Sequence, residues 1–222
     1  KKAYMTNYLA IKKIIVLLKS NQKIIYPTTN SGYGIGQKSK FCTEETPLNP
    51  ISWYGITKSK AEKVVLQHNN SICFRLATVF GYSFRMRTDL LVNNFVKTAI
   101  DKKKLTIFEP HFRRNYIHID DIIGAFIFAI KNFYKMRLNV YNLGLSSANL
   151  TKLQLANRVK KFLPKTKIKI IKNIKDPDQR DYFVSNKKIE KIGFKASTSL
   201  DDGIKELISV YQNSNIKFKN NY

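Results

Sequence analysis

The sequence predicts an α/β protein with a mostly parallel sheet, and three observations support this fold class. Short runs rich in β-branched and aromatic residues alternate with segments whose apolar residues recur at helical spacing. Successive β-rich runs are far enough apart to be joined by a crossover helix, as parallel strands require. The chain has 222 residues, 43% of them hydrophobic, so we expect one large domain or two small ones.

The elements are assigned in chain order from periodicity and turn signals. Apolar residues at helical spacing predict a helix over residues 5–19, and a β-rich run at 23–26, before a Pro-Thr-Thr-Asn-Ser-Gly turn, predicts the first strand. The remaining predicted helices cover residues 52–68, 89–100, 120–132, 151–163 with Thr151 as N-cap, and 201–211. The remaining predicted strands cover residues 71–76, 116–118 and 139–143.

The chain is strongly basic, with a formal net charge of +25. Such a charge is typical of proteins that bind nucleic acid. Here it comes mostly from lysines spread between Lys1 and Lys219, and they accompany abundant asparagine and isoleucine, as an AT-rich genome would impose. We therefore favour compositional drift over nucleic-acid binding and expect no nucleic-acid partner. A basic surface would still attract an anionic nucleotide.

Composition also bounds the compartment. The longest apolar run, Ile14 to Leu18, is far shorter than the ~20 residues that cross a bilayer, and no export signal is visible. The two cysteines, Cys42 and Cys73, lack metal-ligand spacing and are too few for a disulfide scaffold. We expect a cytoplasmic protein with no metal site and no membrane partner.

Tyr54 and Lys58 form a candidate catalytic pair. They are four residues apart near the start of the helix predicted over residues 52–68, so both side chains share one helix face. A lysine ammonium close to a phenol favours the phenolate, which allows a tyrosine to act as a base nearer neutral pH. An isolated pair with this spacing is more often an exposed surface contact, so the interpretation depends on the motifs around it.

An ordered set of motifs surrounds the pair. The motifs are, in chain order, Thr28-Thr29 before Tyr33-Gly34, Glu44 with Pro47, Tyr54 with Lys58, Arg75 with Phe80-Gly81, and Arg114-Asn115-Tyr116-Ile117-His118 with Asp120. In this order the sequence resembles the extended short-chain dehydrogenase/reductases of the NAD-dependent epimerase/dehydratase family over nearly the whole chain. The resemblance implies a doubly wound, Rossmann-like parallel sheet with a smaller C-terminal substrate-binding domain.

The resemblance also implies roles for individual residues. Thr29, Tyr54 and Lys58 would be catalytic, with Thr29 bonded to the reacting sugar oxygen and Tyr54 transferring the proton. NAD or NADP would contact Tyr54 and Lys58, and in addition Asn7, Thr28, Ala77 and Thr78. A nucleotide-diphosphate sugar would be held by Thr29, Arg114 and Arg180, since arginine binds phosphate oxygens through two parallel hydrogen bonds.

The same resemblance implies a domain division and an assembly. Residues 1–82, together with 118–145, would form the second half of the NAD(P)-binding domain. Residues 83–117 and 146–222 would form the substrate-binding domain. Relatives often dimerise through two helices that correspond here to residues 5–19 and 52–68, so we expect a homodimer.

Two departures from the family pattern narrow the function. The family opens with a strand and a glycine-rich turn for the cofactor pyrophosphate, and this sequence has neither, so we expect a fragment that lacks the first half of the sheet. Dehydratases of the family carry Asp-Glu after the catalytic threonine, where this chain has Asn30 and Ser31. We therefore predict an epimerase that acts through a transient keto-sugar. A keto-sugar reductase and a non-catalytic remnant that only binds a sugar nucleotide remain alternatives.

Two further patterns have simpler interpretations. His118 lies beside Asp120 and Asp121, and we expect a structural hydrogen bond for it, with Asp120 as a helix cap. The glycines at 32, 34 and 36 lack the spacing and the following helix of a dinucleotide-binding motif.

Overall fold

A computed structural model describes residues 2–36, 40–171 and 179–213, together with the backbone of residues 219–220. Its helices are α1 (Lys2–Tyr4), α2 (Ala10–Leu17), α3 (Trp53–Val65), α4 (Leu91–Lys102), α5 (Ile119–Lys131), α6 (Phe133–Met136), α7 (Lys152–Phe162), α8 (Lys187–Ile192) and α9 (Leu200–Gln212). A π-helical turn over Met5–Leu9 joins α1 to α2, so the three segments make one continuous rod.

The strands are short and most of them pair in parallel. They are β1 (Ile24–Thr29), β2 (Phe41–Cys42), β3 (Ser71–Leu76), β4 (Thr78–Phe80), β5 (Arg85–Met86), β6 (Lys104–Phe108), β7 (Arg113–His118), β8 (Asn139–Leu143), β9 (Asn149–Thr151), β10 (Lys167–Ile171), β11 (Phe183–Val184) and β12 (Lys219–Asn220). Every predicted helix and strand has an observed counterpart. The sequence did not predict β6, β10 or α8.

The central sheet has the order β1-β3-β8 and is parallel throughout. Helices cover both of its faces, as alternate residues of β3 demonstrate. Cys73 packs with Ala61 and Val65 of α3 on one face, whereas the ring of Phe74 lies 5.3 Å from that of Phe126 of α5 on the other. The predicted α/β fold with a parallel sheet is therefore confirmed.

Smaller strand pairs surround this sheet. β4 pairs in parallel with β7, and β7 pairs antiparallel with β9. β10 pairs with β6, and β11 pairs with β2, so the segment after residue 179 is tied back to the first third of the chain. One large apolar core joins α4, α5, α7 and α9 to the face of the central sheet on which Phe74 lies.

Two helix caps test local predictions. Thr151 caps α7 through a capping box with Gln154, as predicted. The prediction of Asp120 as a cap is wrong, because the N-cap of α5 is His118, whose Nδ1 accepts a hydrogen bond from the backbone N–H of Asp120 at 3.3 Å. The other ring nitrogen of His118 lies 2.6 Å from a carboxylate oxygen of Glu206, so this histidine does make structural hydrogen bonds.

Among the described residues, no helix combines the length and the apolar character needed to span a bilayer. The division into a cofactor half and a substrate half remains a prediction, since the strand pairing β4-β7-β9 runs across the boundaries assigned from the sequence.

Candidate active site

A cleft of about 620 Å³ opens where β1 and β3 end. This is the edge at which open parallel sheets bind their ligands, because the carboxyl ends of the strands leave a crevice there. Seven of the nine residues that the sequence singled out line this cleft, namely Thr28, Thr29, Tyr54, Ala77, Thr78, Arg114 and Arg180.

Thr29 is the last residue of β1 and is held by the turn that follows it. Its Oγ1 accepts a hydrogen bond from the backbone N–H of Ser31 at 3.1 Å and donates one to the Ser31 hydroxyl at 2.9 Å. The hydroxyl therefore caps the 3₁₀ turn Asn30–Tyr33 while it borders the cleft. A strand end followed by a capped turn fixes the position of this side chain.

Tyr54 lies in the first turn of α3, and Ser52 caps that helix through a bond from the Gly55 N–H at 3.1 Å. The Tyr54 side chain borders the cleft and is partly exposed to solvent. Its hydroxyl is thus accessible to a ligand, and the helix cap determines where the helix that carries it begins.

Lys58 lies one helical turn further on and beneath the cleft rather than in its lining. Its Nζ donates to the Pro27 carbonyl oxygen at 2.9 Å and to the Tyr26 hydroxyl at 3.2 Å. Burial lowers the pKa of this ammonium. Burial, and next the proximity of Tyr54, raise the pKa of the Tyr26 phenol to about 12. Lys58 therefore lies against β1, two residues before Thr29, and is bonded there to Pro27.

Asn7 also lies outside the cleft lining, in the π-helical turn. Its side-chain amide donates to the Thr57 hydroxyl at 3.2 Å, and its backbone carbonyl oxygen accepts from the Tyr26 hydroxyl at 3.3 Å. Asn7, Tyr26 and Lys58 consequently form one hydrogen-bonded chain below the cleft. A π-helical turn at such a position is frequently associated with a functional site.

Arg114 and Arg180 come from distant segments and meet in the lining of the same cleft. Arg114, on β7, is 3% exposed and donates to the carbonyl oxygens of Arg113 (2.8 Å) and Arg180. The Arg180 guanidinium donates to the Ser31 hydroxyl. Two guanidinium groups 66 positions apart thus border one cleft.

An ion pair holds the segment that contains Arg180. Asp181 accepts from the Arg113 guanidinium at 2.8 Å and from the Arg113 backbone N–H at 2.8 Å. Burial alone would raise the pKa of Asp181, but the hydrogen bonds from Arg113 outweigh it, and the pKa lies below its ordinary value. Asp181 is therefore a stable anion that anchors this segment beside Arg114.

Sequence reasoning missed several charged residues of the cleft. Arg87 and Asp89 form a two-bond ion pair at its mouth, with both distances at 2.7 Å. Lys152 lies at the start of α7, is 4% exposed, and donates to the Phe108 carbonyl oxygen at 3.0 Å. No motif marks these residues, since the strands that bring them together are separated by tens of residues.

The lining of the cleft is electropositive. Its lining contains the cations Arg87, Arg114, Lys152 and Arg180 and the single carboxylate Asp89. Within the described residues no group of three or more His, Cys, Asp or Glu side chains could hold a metal ion. The arrangement is suited to an anion with several oxygens.

The turn after Thr29 provides no acid or base. Asn30 is buried and neither polar atom of its side chain has a hydrogen-bond partner, whereas Ser31 borders the cleft with a hydroxyl. Neither side chain titrates in the range where a carboxyl would act.

Comparisons with known proteins agree with this geometry. The sequence model of the NAD dependent epimerase/dehydratase family matches residues 1–144. UDP-glucose 4-epimerase of Lactobacillus helveticus is 31% identical over 159 residues, which are 61% of this chain and 48% of that protein. The chain spans about half the length of the curated relatives it matches.

Solved structures show the same fold. The dTDP-glucose 4,6-dehydratase of Bacillus anthracis, in complex with NAD, gives a TM-score of 0.82 at 24% identity, over 95% of this chain and 69% of that one. The UDP-glucuronic acid 4-epimerase of Bacillus cereus, in complex with UDP-glucuronic acid and NAD, gives 0.79 at 22%, over 93% and 67%. With its Rossmann-like α/β fold, its motifs in order and the family model matched over residues 1–144, the chain belongs to the NAD-dependent epimerase/dehydratase family.

Proposed function

We propose that the chain is the catalytic and substrate-binding part of an NAD(P)-dependent nucleotide-sugar epimerase that acts through a transient keto-sugar. One observation carries the proposal. The hydroxyls of Thr29 and Tyr54 border the same cleft as the guanidinium groups of Arg114 and Arg180. Hydroxyls and cations in one cleft match a sugar linked to a diphosphate.

The residues fit the nicotinamide half of a dinucleotide. Thr28, Tyr54, Ala77 and Thr78 border the cleft, and Lys58 lies below it where it would hold the nicotinamide ribose. The sequence contains no glycine-rich turn with dinucleotide spacing, so the pyrophosphate half has no counterpart in it. Bound NAD or NADP supplies a hydride acceptor and donor.

Tyr54 moves the proton in this mechanism. Its oxygen would take the proton of the sugar hydroxyl, and bound NAD or NADP in its oxidised form would supply the acceptor for the hydride of the same carbon, so that a keto-sugar would form. The Thr29 hydroxyl bonds the same sugar oxygen, and the Lys58 ammonium stabilises negative charge at the floor of the site. After the sugar turns, the reduced cofactor would supply the hydride for the other face of the carbonyl, and Tyr54 would return the proton to the sugar oxygen.

Arg114 and Arg180 hold the diphosphate in this proposal. Guanidinium groups bind phosphate oxygens in a planar fork, and charge-assisted bonds of this kind are worth ~1.5–3 kcal/mol each. The Arg113–Asp181 ion pair orients the segment that contains Arg180, and Lys152 adds positive charge to the lining of the same cleft. Because the two arginines bind the diphosphate and not the sugar, the sugar remains free to turn within the cleft.

Asn30 and Ser31 argue against dehydration, because removal of water from a keto-sugar requires an acid and a base at these positions. The alternative that fits the same cleft is reduction of a keto-sugar, which uses Tyr54 as an acid only. A non-catalytic remnant that only binds a sugar nucleotide is the second alternative.

A homodimer is part of the proposal. The two helical regions at 5–19 and 52–68 pack against each other, and Ile14, Val16, Leu17 and Trp53 on them are largely exposed apolar side chains. Sedimentation velocity of wild type and of Val16→Glu with Leu17→Lys tests it. We expect the variant to be monomeric, and equal sedimentation of the two proteins argues against this interface.

We also expect the protein to act in the cytoplasm.

Turnover tests the function. The intact gene product that contains this chain is incubated with NAD and a panel of UDP- and dTDP-sugars, and the sugars are identified by NMR. We expect interconversion of two epimers without loss of water and without net oxidation of the cofactor. Stoichiometric consumption of NADPH would instead identify the reductase, and a 4-keto-6-deoxy product would identify a dehydratase.

A further inference from the structure

We propose that Arg75 is the positioning residue that sets the catalytic helix and the Thr29 turn in register. This inference rests on the proposed function, because it concerns the relative position of Tyr54 and Thr29. Arg75 is 5% exposed on β3 and does not border the cleft, so it acts through other residues and not on the substrate.

Arg75 binds the catalytic helix through Glu62. Its Nε and Nη2 donate to the two carboxylate oxygens of Glu62 at distances between 2.6 and 3.2 Å. Glu62 is 3% exposed and follows Tyr54 and Lys58 at intervals of four residues, so the three side chains share one face of α3. A planar fork on Glu62 therefore restrains the rotation of the helix that carries Tyr54 and Lys58.

The same guanidinium also binds the turn that follows Thr29. Its Nη1 donates to the Tyr33 hydroxyl at 2.9 Å and to the Glu44 carbonyl oxygen at 3.1 Å. Tyr33 ends the 3₁₀ turn that Thr29 caps, and its own hydroxyl donates to Asn142 Oδ1 of β8 at 2.7 Å. One side chain thus connects the Tyr54 helix, the Thr29 turn and the central sheet.

Besides this ion pair, α3 contacts the sheet through the two hydrogen bonds of Lys58 to β1 and through apolar side chains. Ala61 and Val65 pack on Tyr26 and Cys73, and apolar packing does not by itself fix the rotation of a helix. Burial of an ion pair costs desolvation energy, and apolar side chains of similar volume often stabilise a protein as well. We infer that this pair is present for geometry more than for stability.

Two variants separate geometry from stability. Tyr33→Phe removes the bond between Arg75 and the turn, together with the contacts of the same hydroxyl with Asn142 and the Thr43 carbonyl oxygen, but leaves the ion pair intact. Its control for the loss of a buried phenol is Tyr141→Phe, an equally buried tyrosine that bonds the Met136 carbonyl oxygen away from the cleft. Arg75→Met combined with Glu62→Leu replaces the pair by apolar side chains, so that no charge is left buried alone.

In the intact gene product, we expect Tyr33→Phe to lower kcat about tenfold and the double variant about a hundredfold, since small misplacements of reacting groups have effects of this size. KM, UDP affinity and the melting temperature should stay close to wild type. Arg75→Lys should recover only part of kcat, because an ammonium cannot hold Glu62 and Tyr33 together. Wild-type kcat in the double variant, or kcat and melting temperature that fall in parallel, would overturn the inference.

A crystal structure of the double variant gives a readout independent of turnover. We expect the Tyr54 oxygen to shift by about 1 Å or more relative to Thr29 Oγ1, and an unchanged distance contradicts the role of Arg75. If the wild type converts no nucleotide-sugar, the proposed function fails, but the crystallographic test of Arg75 still stands.

Discussion

Two sets of residues border the cleft and are held in different ways. Thr29 and Tyr54, called the first wall, come from regular elements. Arg114 and Arg180 form the second wall, and Arg180 lies outside the strands and helices of the described residues. A parallel strand pair, a capped helix and a buried ion pair fix the first wall. The second wall depends on the Arg113–Asp181 pair and on short strand pairs. The difference suggests that the chemistry needs fixed geometry, while the grip on the substrate needs charge.

Tyr54→Phe tests the first wall and should have the largest effect. It removes the proton carrier and leaves the shape of the cleft, so kcat should fall about 10²- to 10⁴-fold while KM changes little. The measurement is steady-state turnover of the preferred nucleotide-sugar. Tyr134→Phe, on a ring that is 69% exposed, serves as control and should behave as wild type. A Tyr54→Phe enzyme with most of its activity would remove the tyrosine from the mechanism.

Arg114→Ala and Arg180→Ala test the second wall and should have the next largest effect. Loss of one charge-assisted contact should raise KM about ten- to a hundredfold and leave kcat nearly unchanged. Lysine at either position should restore only part of the affinity, because an ammonium lacks the planar fork. Arg158→Ala removes an exposed ion pair with Asp201 and should leave KM as in wild type. Normal KM in both alanine variants of the cleft contradicts the diphosphate grip.

The family resemblance singled out Thr29, Tyr54 and Lys58 as candidate catalytic residues, and that assignment stays a prediction. Thr29 and Tyr54 border the cleft, whereas Lys58 lies outside its lining. Arg87 and Lys152 were missed because only the tertiary fold brings them to the cleft. The network of Arg75 was missed for the same reason, although Arg75 itself stood in a motif. The wrong cap at Asp120 arose because a histidine side chain can also accept from a backbone N–H.

Binding to the 222-residue chain by itself compares the two walls without turnover. The cleft lining contains four cations, whereas the sequence has no glycine-rich turn for a dinucleotide pyrophosphate. We expect calorimetry to give a Kd for UDP at least about tenfold lower than that for NAD, a difference of ~1.4 kcal/mol. Arg114→Ala should remove the difference, and Arg158→Ala should not. Micromolar binding of NAD by this chain contradicts the expectation.

The smallest expected effect concerns the stability of the protein at alkaline pH, to which Tyr26 of β1 contributes. The pKa of Tyr26 is raised from 10.0 to about 12, mainly by burial and next by Tyr54. A phenol with a raised pKa in the folded state stabilises the fold fully below pH 10, and this contribution is lost as the pH rises from 10 to 12. Tyr26→Phe removes the hydrogen bonds of this hydroxyl to Asn7 and Lys58, so it should be less stable than wild type near neutral pH. Because it has no phenol to ionise, it should lose less stability above pH 10.

Urea unfolding of both proteins at about pH 8, pH 10 and pH 11 measures this difference through the unfolding midpoints. Lys58 contributes with the opposite sign, because burial lowers its pKa and its unfavourable charge disappears as the pH rises. Lys58 is present in both proteins, so the difference between their pH profiles reports mainly on Tyr26. Tyr134→Phe is the control and should follow wild type at every pH. Parallel profiles for wild type and Tyr26→Phe would mean that the Tyr26 phenol ionises in the folded protein as easily as in the unfolded chain.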